Sequence, residues 1–479
     1  SSGNPLESQD DVAHPASFLA HFEGAIGGGK LTARGLAQLQ DRSAEFHDLT
    51  LFSGDSRVQQ ANVFVGGTYE KPFSAFTLRL AADVTHGRPL GKDQFRITST
   101  TPMGLEPGRD LVYERDFSST MVAGAVEAVR ELENKGMRGF ILVGGDISHD
   151  AENLQQVTEI DTASGAINER MQPAGRSLSN GAGYAQALYP ILPQLNLAAG
   201  FRVDANSVYG AAISARAGAV YHPTDKTYFK VLAGRAFKAP SPEQLWGEPI
   251  EAGDFAGDDN LPPQYINGVE VVADVFFSKA FKGQVAAYYN YHENAISNLL
   301  RGGQLVATPF DSTTIGGEAM VQHAKRTDSL DTSFTAMVGV QNTQVDESDI
   351  SGLVQKPVPD NEIFPQLSAG VRGSVRVPAA KTRLFGSFRH IGKRIPSQSN
   401  LTAAGTVVLT DEVAYELEAY SIVDLVLSSD PLKLQENATL EAQLRLDNVL
   451  DERYSEIGFN GVDVPNLGRV IWVTGRVSY

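Results

Sequence analysis

Three histidines, His292, His323 and His390, are the side chains best suited to hold a metal, because neutral imidazole ligates haem iron and transition metals. They are far apart in the chain, and a lone histidine is usually polar surface. The loop Glu248-Pro-Ile-Glu-Ala-Gly-Asp-Phe-Ala-Gly-Asp-Asp259 carries five carboxylates in twelve residues, oxygen donors of the kind Ca²⁺ takes. It lacks the spacing of an EF-hand loop, so a solvated acidic loop is the expected reading. Gly27-Gly-Gly-Lys30 has the glycines of a phosphate loop without its Gly-Lys-Ser/Thr, and reads as a flexible hairpin. There is no Gly-X-Ser-X-Gly elbow and no His-Glu-X-X-His helix. The expectation is a protein that is not an enzyme and carries no metal or cofactor.

Charges of both signs recur on one side of alternating segments: Arg79, Asp83, Arg202, Asp204, Arg216, Glu270, Asp274, Arg372, Arg376, Asp424, Glu441, Arg445 and Asp447. Their functional reading is a polar wall that holds a plug or passes a solute. Their structural reading is pairing across neighbouring strands, each pair worth little when exposed. Only elements of period two can position them. Phe76, Leu78, Leu80, Ala82 and Val84 alternate with Thr77, Arg79, Ala81 and Asp83, and Leu195 to Asp204, Val371 to Val377 and Leu440 to Asp447 repeat the pattern. Shifting any of these registers by one residue would turn its charges to the apolar side.

Less regular segments of the same kind lie near 17–27, 30–40, 57–69, 118–130, 138–147, 182–192, 211–221, 227–237, 268–278, 283–292, 314–323, 332–342, 382–390 and 415–428. Together they make roughly twenty strands. Short turn-like connections alternate with long polar ones at 87–116, 148–180, 239–266, 343–364, 393–414 and 451–468, the asymmetry of an outer-membrane barrel. In the last strand Ile471, Val473, Gly475, Val477 and Tyr479 share an apolar face, with Val470, Trp472, Thr474, Arg476 and Ser478 behind. Ile471, Val473, Val477 and the terminal aromatic Tyr479 are read as the signal for barrel insertion.

Composition agrees. The 479 residues include no Cys and 46 Gly, and no run of 18 apolar residues occurs, so no helix of this sequence spans a bilayer. A barrel spans one without such a run, because closure satisfies its backbone. The formal net charge of -17 and the lack of a basic stripe argue against nucleic acid as a partner. The start at Ser1-Ser-Gly-Asn has neither a basic nor an apolar leader region. Residues 1–16 are expected to be an N-terminal segment and 17–479 an all-β, transmembrane antiparallel β-barrel.

From residue 181 onward the sequence resembles a TonB-dependent outer-membrane receptor. Gly183 to Tyr189, Leu195 to Asp204 and Ala215 to Pro223 are similar to three successive strands of that family. Tyr228 to Ser241 contains Phe237, Lys238, Ala239 and Pro240, similar to the family's Ala-Phe-Arg-Ala-Pro with Lys in place of Arg. Asn260 and Leu261 resemble the downstream Asn-Pro-X-Leu segment. Asn448, Leu450, Asp451 and Tyr454 match a penultimate-strand pattern, Asn-Leu-Phe/Leu-Asp-X-X-Tyr.

The resemblance implies a barrel of about 22 strands, closed by a plug domain, in the bacterial outer membrane. It implies uptake of a scarce ligand, of the iron chelate or vitamin class, powered by TonB with ExbB and ExbD. The family's haem receptors use a His between the two loop motifs, and residues 241–259 contain none, which argues against haem. No plug-like block precedes the first alternating segment, so the plug is expected as a separate protein. The alternative is a plugless, repurposed barrel acting as a structural or interaction subunit, its lumen filled by a partner protein. Outer-membrane lipid, lipopolysaccharide and the barrel-assembly machinery complete the expected partners.

Overall fold

The computed structural model describes residues 13–43, 46–47, 50–51, 56–90, 93–97, 110–134, 136–170, 175–247, 255–301, 304–346, 365–394, 417–435, 438–456 and 464–478. Among them, nineteen long strands form one antiparallel wall. In chain order these are β1 (Ala16–Ile26), β2 (Gly29–Ser43), β3 (Arg57–Pro72), β4 (Thr77–Pro89), β5 (Leu111–Asn134), β6 (Met137–Asp161) and β7 (Arg176–Leu192). Then come β8 (Leu195–Asn206), β9 (Gly210–Thr224), β10 (Thr227–Lys238), β11 (Gln264–Ser278), β12 (Phe281–Arg301) and β13 (Gln304–Arg326). The last six are β14 (Asp331–Val345), β15 (Leu367–Val377), β16 (Thr382–Ile391), β17 (Tyr420–Ser429), β18 (Ala438–Asp447) and β19 (Val470–Ser478). Each pairs with the next, from Ala16↔Leu39 between β1 and β2 to Leu444↔Val473 between β18 and β19.

The registers carry one apolar row around the outside. Val84 faces Val122, Ala185 faces Phe201, Val269 faces Tyr289, Val371 faces Phe388 and Leu427 faces Leu444. These rows are exposed in the isolated chain, as a lipid-facing surface must be. Aromatic clusters flank the aliphatic band. On the side of the short turns, Phe281, His323 and Phe334 stack, with His323 and Phe334 centroids 5.4 Å apart. On the opposite side, Phe237 lies 6.3 Å from both Tyr209 and Tyr265. Such girdles mark the two membrane interfaces.

Gly27 and Gly28 form the β1–β2 turn with φ of 57° and 79°, a left-handed pair that only glycine adopts without strain. The phosphate-loop glycines are thus hairpin glycines, and Lys30 pairs with Glu23 at 2.8 Å across the same hairpin. The connections on this side are all short and every long one lies on the other, which places the long loops outside the cell.

One expected loop is largely strand. Residues 148–161 continue β6, which reaches 25 residues and pairs with the 24-residue β5, and Ile167–Arg170 folds back to pair with Val157–Ile160 of β6. About 9–11 tilted residues cross a bilayer. The hairpin therefore projects well beyond the outer interface. Above the lipid no solvent difference separates its two faces, so no alternation marks it.

Candidate functional site

Two packed knots build the outer mouth. The first begins where β10 ends at Lys238. Ala239 and the buried Pro240 lead into Ser241, which caps the short helix α1 (Pro242–Trp246). Ser241 Oγ accepts from the Gln244 amide at 3.2 Å, and Gln244 Oε1 accepts from the Ser241 amide at 2.9 Å. This reciprocal pair satisfies two orphan donors, and proline suits the first turn. Leu245 is buried with Leu261 and Ala307, and Leu178, Val208, Trp246 and Ile296 pack around them. Burial of one such leucine contributes about 1.5–3 kcal/mol. Leu178 shares the inner face of β7 with Tyr184, so the knot lies over the lumen side. Arg176 stands over the Trp246 ring at 5.8 Å.

The second knot is a strap between β18 and β19, described here over residues 448–456 and 464–469. Asn448 has φ of 50°, and its side chain both accepts from the Glu452 amide at 2.9 Å and donates to the Glu452 carbonyl at 2.8 Å. Its own amide donates to Asp424 on β17 at 2.9 Å. Asp451, at φ of 57°, accepts from the Arg469 amide at 2.8 Å. Tyr454 stacks on Tyr420 with centroids 4.0 Å apart. The Tyr420 hydroxyl donates to Glu456 at 2.6 Å, and Arg394 donates to Glu456 at 2.5 Å and to the Ser455 carbonyl at 3.0 Å. Tyr420 shares the inward face with Asp424, so these contacts draw the strap onto the lumen wall.

The Asn448–Tyr454 pattern is therefore a turn-builder. Asn and Asp occupy the two left-handed positions, which they tolerate better than other residues with a Cβ. The pattern's apolar member, Leu450, stays exposed. Replacing Asn448 with Ala removes both bonds to Glu452 and is expected to loosen the strap by about 1–2 kcal/mol. Faster limited proteolysis within 448–469, with the barrel itself intact, is the result to look for.

Burial works against charge on Glu456, but the Tyr420 hydroxyl and the Arg394 guanidinium outweigh it and hold the carboxyl below the usual glutamate range. A carboxyl depressed on folding gives stability that is complete above its unfolded value and lost as pH falls through the folded one. The strap is expected to stay shut at neutral pH and to open only in acid, at a pH below that at which an ordinary glutamate titrates. Proteolysis against pH reads this directly, and Glu456→Gln should abolish the acid step.

The inward charges are mostly spent on one another. Arg79 meets Glu70 at 3.1 Å and Glu127 at 3.9 Å, and Tyr184 donates to Glu127 at 3.0 Å. Arg202 forks between Asp146 at 2.6 Å and the buried Asp204 at 2.7 Å. Lys230 and Lys282 flank buried Asp274 at 2.7 and 3.1 Å, and Arg376 joins Asp331 to Asp430 at 3.0 and 2.8 Å. Arg445 holds Asp447 at 2.6 Å, Arg216 donates to Gln186 at 2.6 Å, and Asp424 accepts from Ser387 at 3.0 Å. Between Tyr184 and Tyr288 the inner wall opens into a cavity of about 930 Å³, floored by Ala198, Gly200, Gly218, Gly234 and Gly268.

The three histidines do not converge. His292 is on the inner face of β12. His323 is in the inner-leaflet girdle and bonded to Thr332 at 3.0 Å, and His390 faces outward, bonded to Ser421 at 3.0 Å. Among the described residues no group of three metal-binding side chains occurs. Most of the acidic loop 248–259 lies outside the described residues. Asp258 and Asp259 within it bond to Asn260 at 2.9 and 2.8 Å. Phe237 belongs to the outer girdle and not the lumen. Ile471, Val473 and Val477 form the outward row of β19, and Tyr479 lies outside the described residues.

Arg394, Tyr420 and Glu456 were not singled out from the sequence. They come from three segments, and Tyr420 opens a strand like any other aromatic, so nothing local marks them. Trp246 and Arg176 are hidden in the same way.

A sequence profile described as TonB dependent receptor-like, beta-barrel, matches residues 18–449. The chain belongs to this family. It is a β-barrel of the TonB-dependent receptor type, from the Gram-negative outer membrane. Solved structures agree in fold. The pyoverdine outer-membrane receptor FpvA of Pseudomonas aeruginosa superposes with a TM-score of 0.69 at 14% identity, over 98% of this chain and 72% of the receptor. The ferric-catecholate import receptor Fiu of E. coli K12 gives 0.69 at 12% identity, over 98% and 75%. The siderophore receptor PiuA of Acinetobacter baumannii gives 0.66 at 12% identity, over 99% and 75%. No curated protein sequence matches the chain. The family and these neighbours are transport receptors, and the TonB-dependent barrel described here shares their architecture.

Proposed function

We propose that this barrel is the wall of an uptake receptor that takes a scarce ligand, of the iron-chelate class, from the medium. The inward-folded outer mouth carries this reading. Two long loops are packed by their own side chains onto the lumen side, with Tyr420, Tyr454, Trp246, Arg176 and Arg394 in fixed positions, as an entrance that must discriminate requires. The lumen is held by a plug that these nineteen strands do not contain, and TonB with ExbB and ExbD supplies the pull. The wall fits a polar protein filling, because most of its charges are paired within the wall and the rest are of both signs, which gives a free ion no field of one sign to follow.

Gentle purification of the native complex tests this, with identification of its chains and conductance in a planar bilayer. The expected result is a plugged barrel whose contact with TonB rises when ferric chelates are added. A partner embedded without any TonB contact would establish the structural-subunit reading instead. A partner-free barrel with large, steady conductance would overturn both.

A further inference from the structure

Arg176 opens β7 within reach of two partners. Its guanidinium stands over the Trp246 ring at 5.8 Å, which ties α1 to the wall. Its register partner across the β6–β7 pair is Glu152. Residues so paired stand about 4.5–5.5 Å apart, well within the reach of an arginine side chain. Gly175, just before it, lies hard against β6. A Cβ there would meet Asn153 Oδ1 at 2.8 Å and the Glu152 carbonyl oxygen at 3.0 Å. The backbone is thus fixed, and the Arg176 side chain is the part free to change sides.

Glu152 is half-buried on the inward face of the β5–β6 hairpin, above the outer interface. Its carboxyl has no hydrogen bond or ion pair among the described residues. Burial, and after it the neighbouring charge of Asp150, push that carboxyl up to about 7. The charged groups beside it are Asp150 on β6 and Arg176 on β7. From β5 comes the Ser119 hydroxyl, which donates to Asp150 at 3.5 Å, and α1, beyond Arg176, carries Glu243. His149 faces the other way, bonded to Ser179 at 2.8 Å. A guanidinium over an exposed ring and one in an exposed ion pair are held with comparable strength. The charge of one neighbouring carboxyl is enough to decide between them.

We propose that Arg176 is a latch with two seats: on Trp246 it holds the α1 knot to the wall, and on the ionised carboxylate of Glu152 it lets the knot go. The structure described is the latched form. Leu178 keeps its apolar contact with the knot in both, so release loosens the knot without unfolding it. In acid Glu152 is neutral and the latch holds. As pH rises Glu152 ionises, draws Arg176 across and uncovers Trp246. Arg176 favours the ionised form once it arrives, so the midpoint falls below 7 and above the ordinary glutamate value of about 4.3. The response is opposite in sign to that of the strap, which opens in acid. The latch acts at the mouth whether the barrel imports a ligand or scaffolds a complex.

Acrylamide quenching of Trp246 in the purified receptor tests this, the Trp246 signal being the fluorescence that Trp246→Phe removes. The expected result is quenching that rises in one step between those two pH values, with emission shifting to the red. Glu152→Gln should abolish the step and hold quenching at its low, acid level. Arg176→Met should hold it at the high level at every pH. Asp150→Asn removes the like charge and should move the step to lower pH. Unchanged β-sheet circular dichroism checks that each variant is folded. A wild-type receptor without the step, or a step that survives Glu152→Gln, would overturn the latch.

Discussion

Deleting Val477, Ser478 and Tyr479 is expected to leave the protein out of the outer membrane and stranded in the periplasm. Val477 pairs with Leu440 and Ser478 with Thr439, so the deletion removes the last two rungs that hold β19 to the wall. It also removes the apolar end of the outward row and the terminal aromatic residue. The strand that remains is too short and too weakly apolar at its end to be recognised and zipped into place. Immunoblots of separated membrane and periplasmic fractions measure the effect. Unchanged outer-membrane levels of the truncated chain would dismiss the role given to these residues.

The second large effect separates the two faces of the same strand. Val473 faces outward opposite Leu444, and Thr474 faces inward opposite Gln443. Val473→Arg should destabilise the folded barrel by about 2–4 kcal/mol, the cost of Arg near the lipid midplane. Thr474→Arg should be close to neutral, because the inner wall already carries Arg445 and Arg476 nearby. Denaturant unfolding of the two variants in phospholipid measures the difference. Equal losses would mean that β19 does not present this face to lipid.

Much of this wall can be read without coordinates. Each of the alternating segments corresponds to one of the nineteen strands, because period two is a local signal that lipid on one side enforces at every residue. It fails where lipid ends. Ser148 to Asp161 lies above the membrane, so neither face is selected to be apolar and the strand reads as a loop. The mouth was legible only in part. The Asn448–Tyr454 pattern stands out, but what it does depends on Tyr420, Arg394 and Glu456. Arg394 and Glu456 are 62 residues apart and meet because β16, β17 and β18 lie side by side in the wall. His323 shows the opposite limit, since its stacking on Phe334 could not be told from ligand chemistry by sequence alone.

The long β5–β6 hairpin has a mechanical consequence. Its two strands run as one hydrogen-bonded ribbon from the turn at Gly136 to the tip at Asp161, and their register slips once, between Asp116 and Ser118. Below the slip the ribbon is clamped on both sides, by β4 and by β7. Above the slip the ribbon is braced again, by Asp93–Ile97 along β5 and by Ile167–Arg170 along β6, and Gln94 of the first brace pairs with Arg57 of β3. The hairpin is thus a stayed post. A body that strikes or grips its tip passes part of the load through residues 93–97 into β3, beside the path down β5 and β6 into the wall.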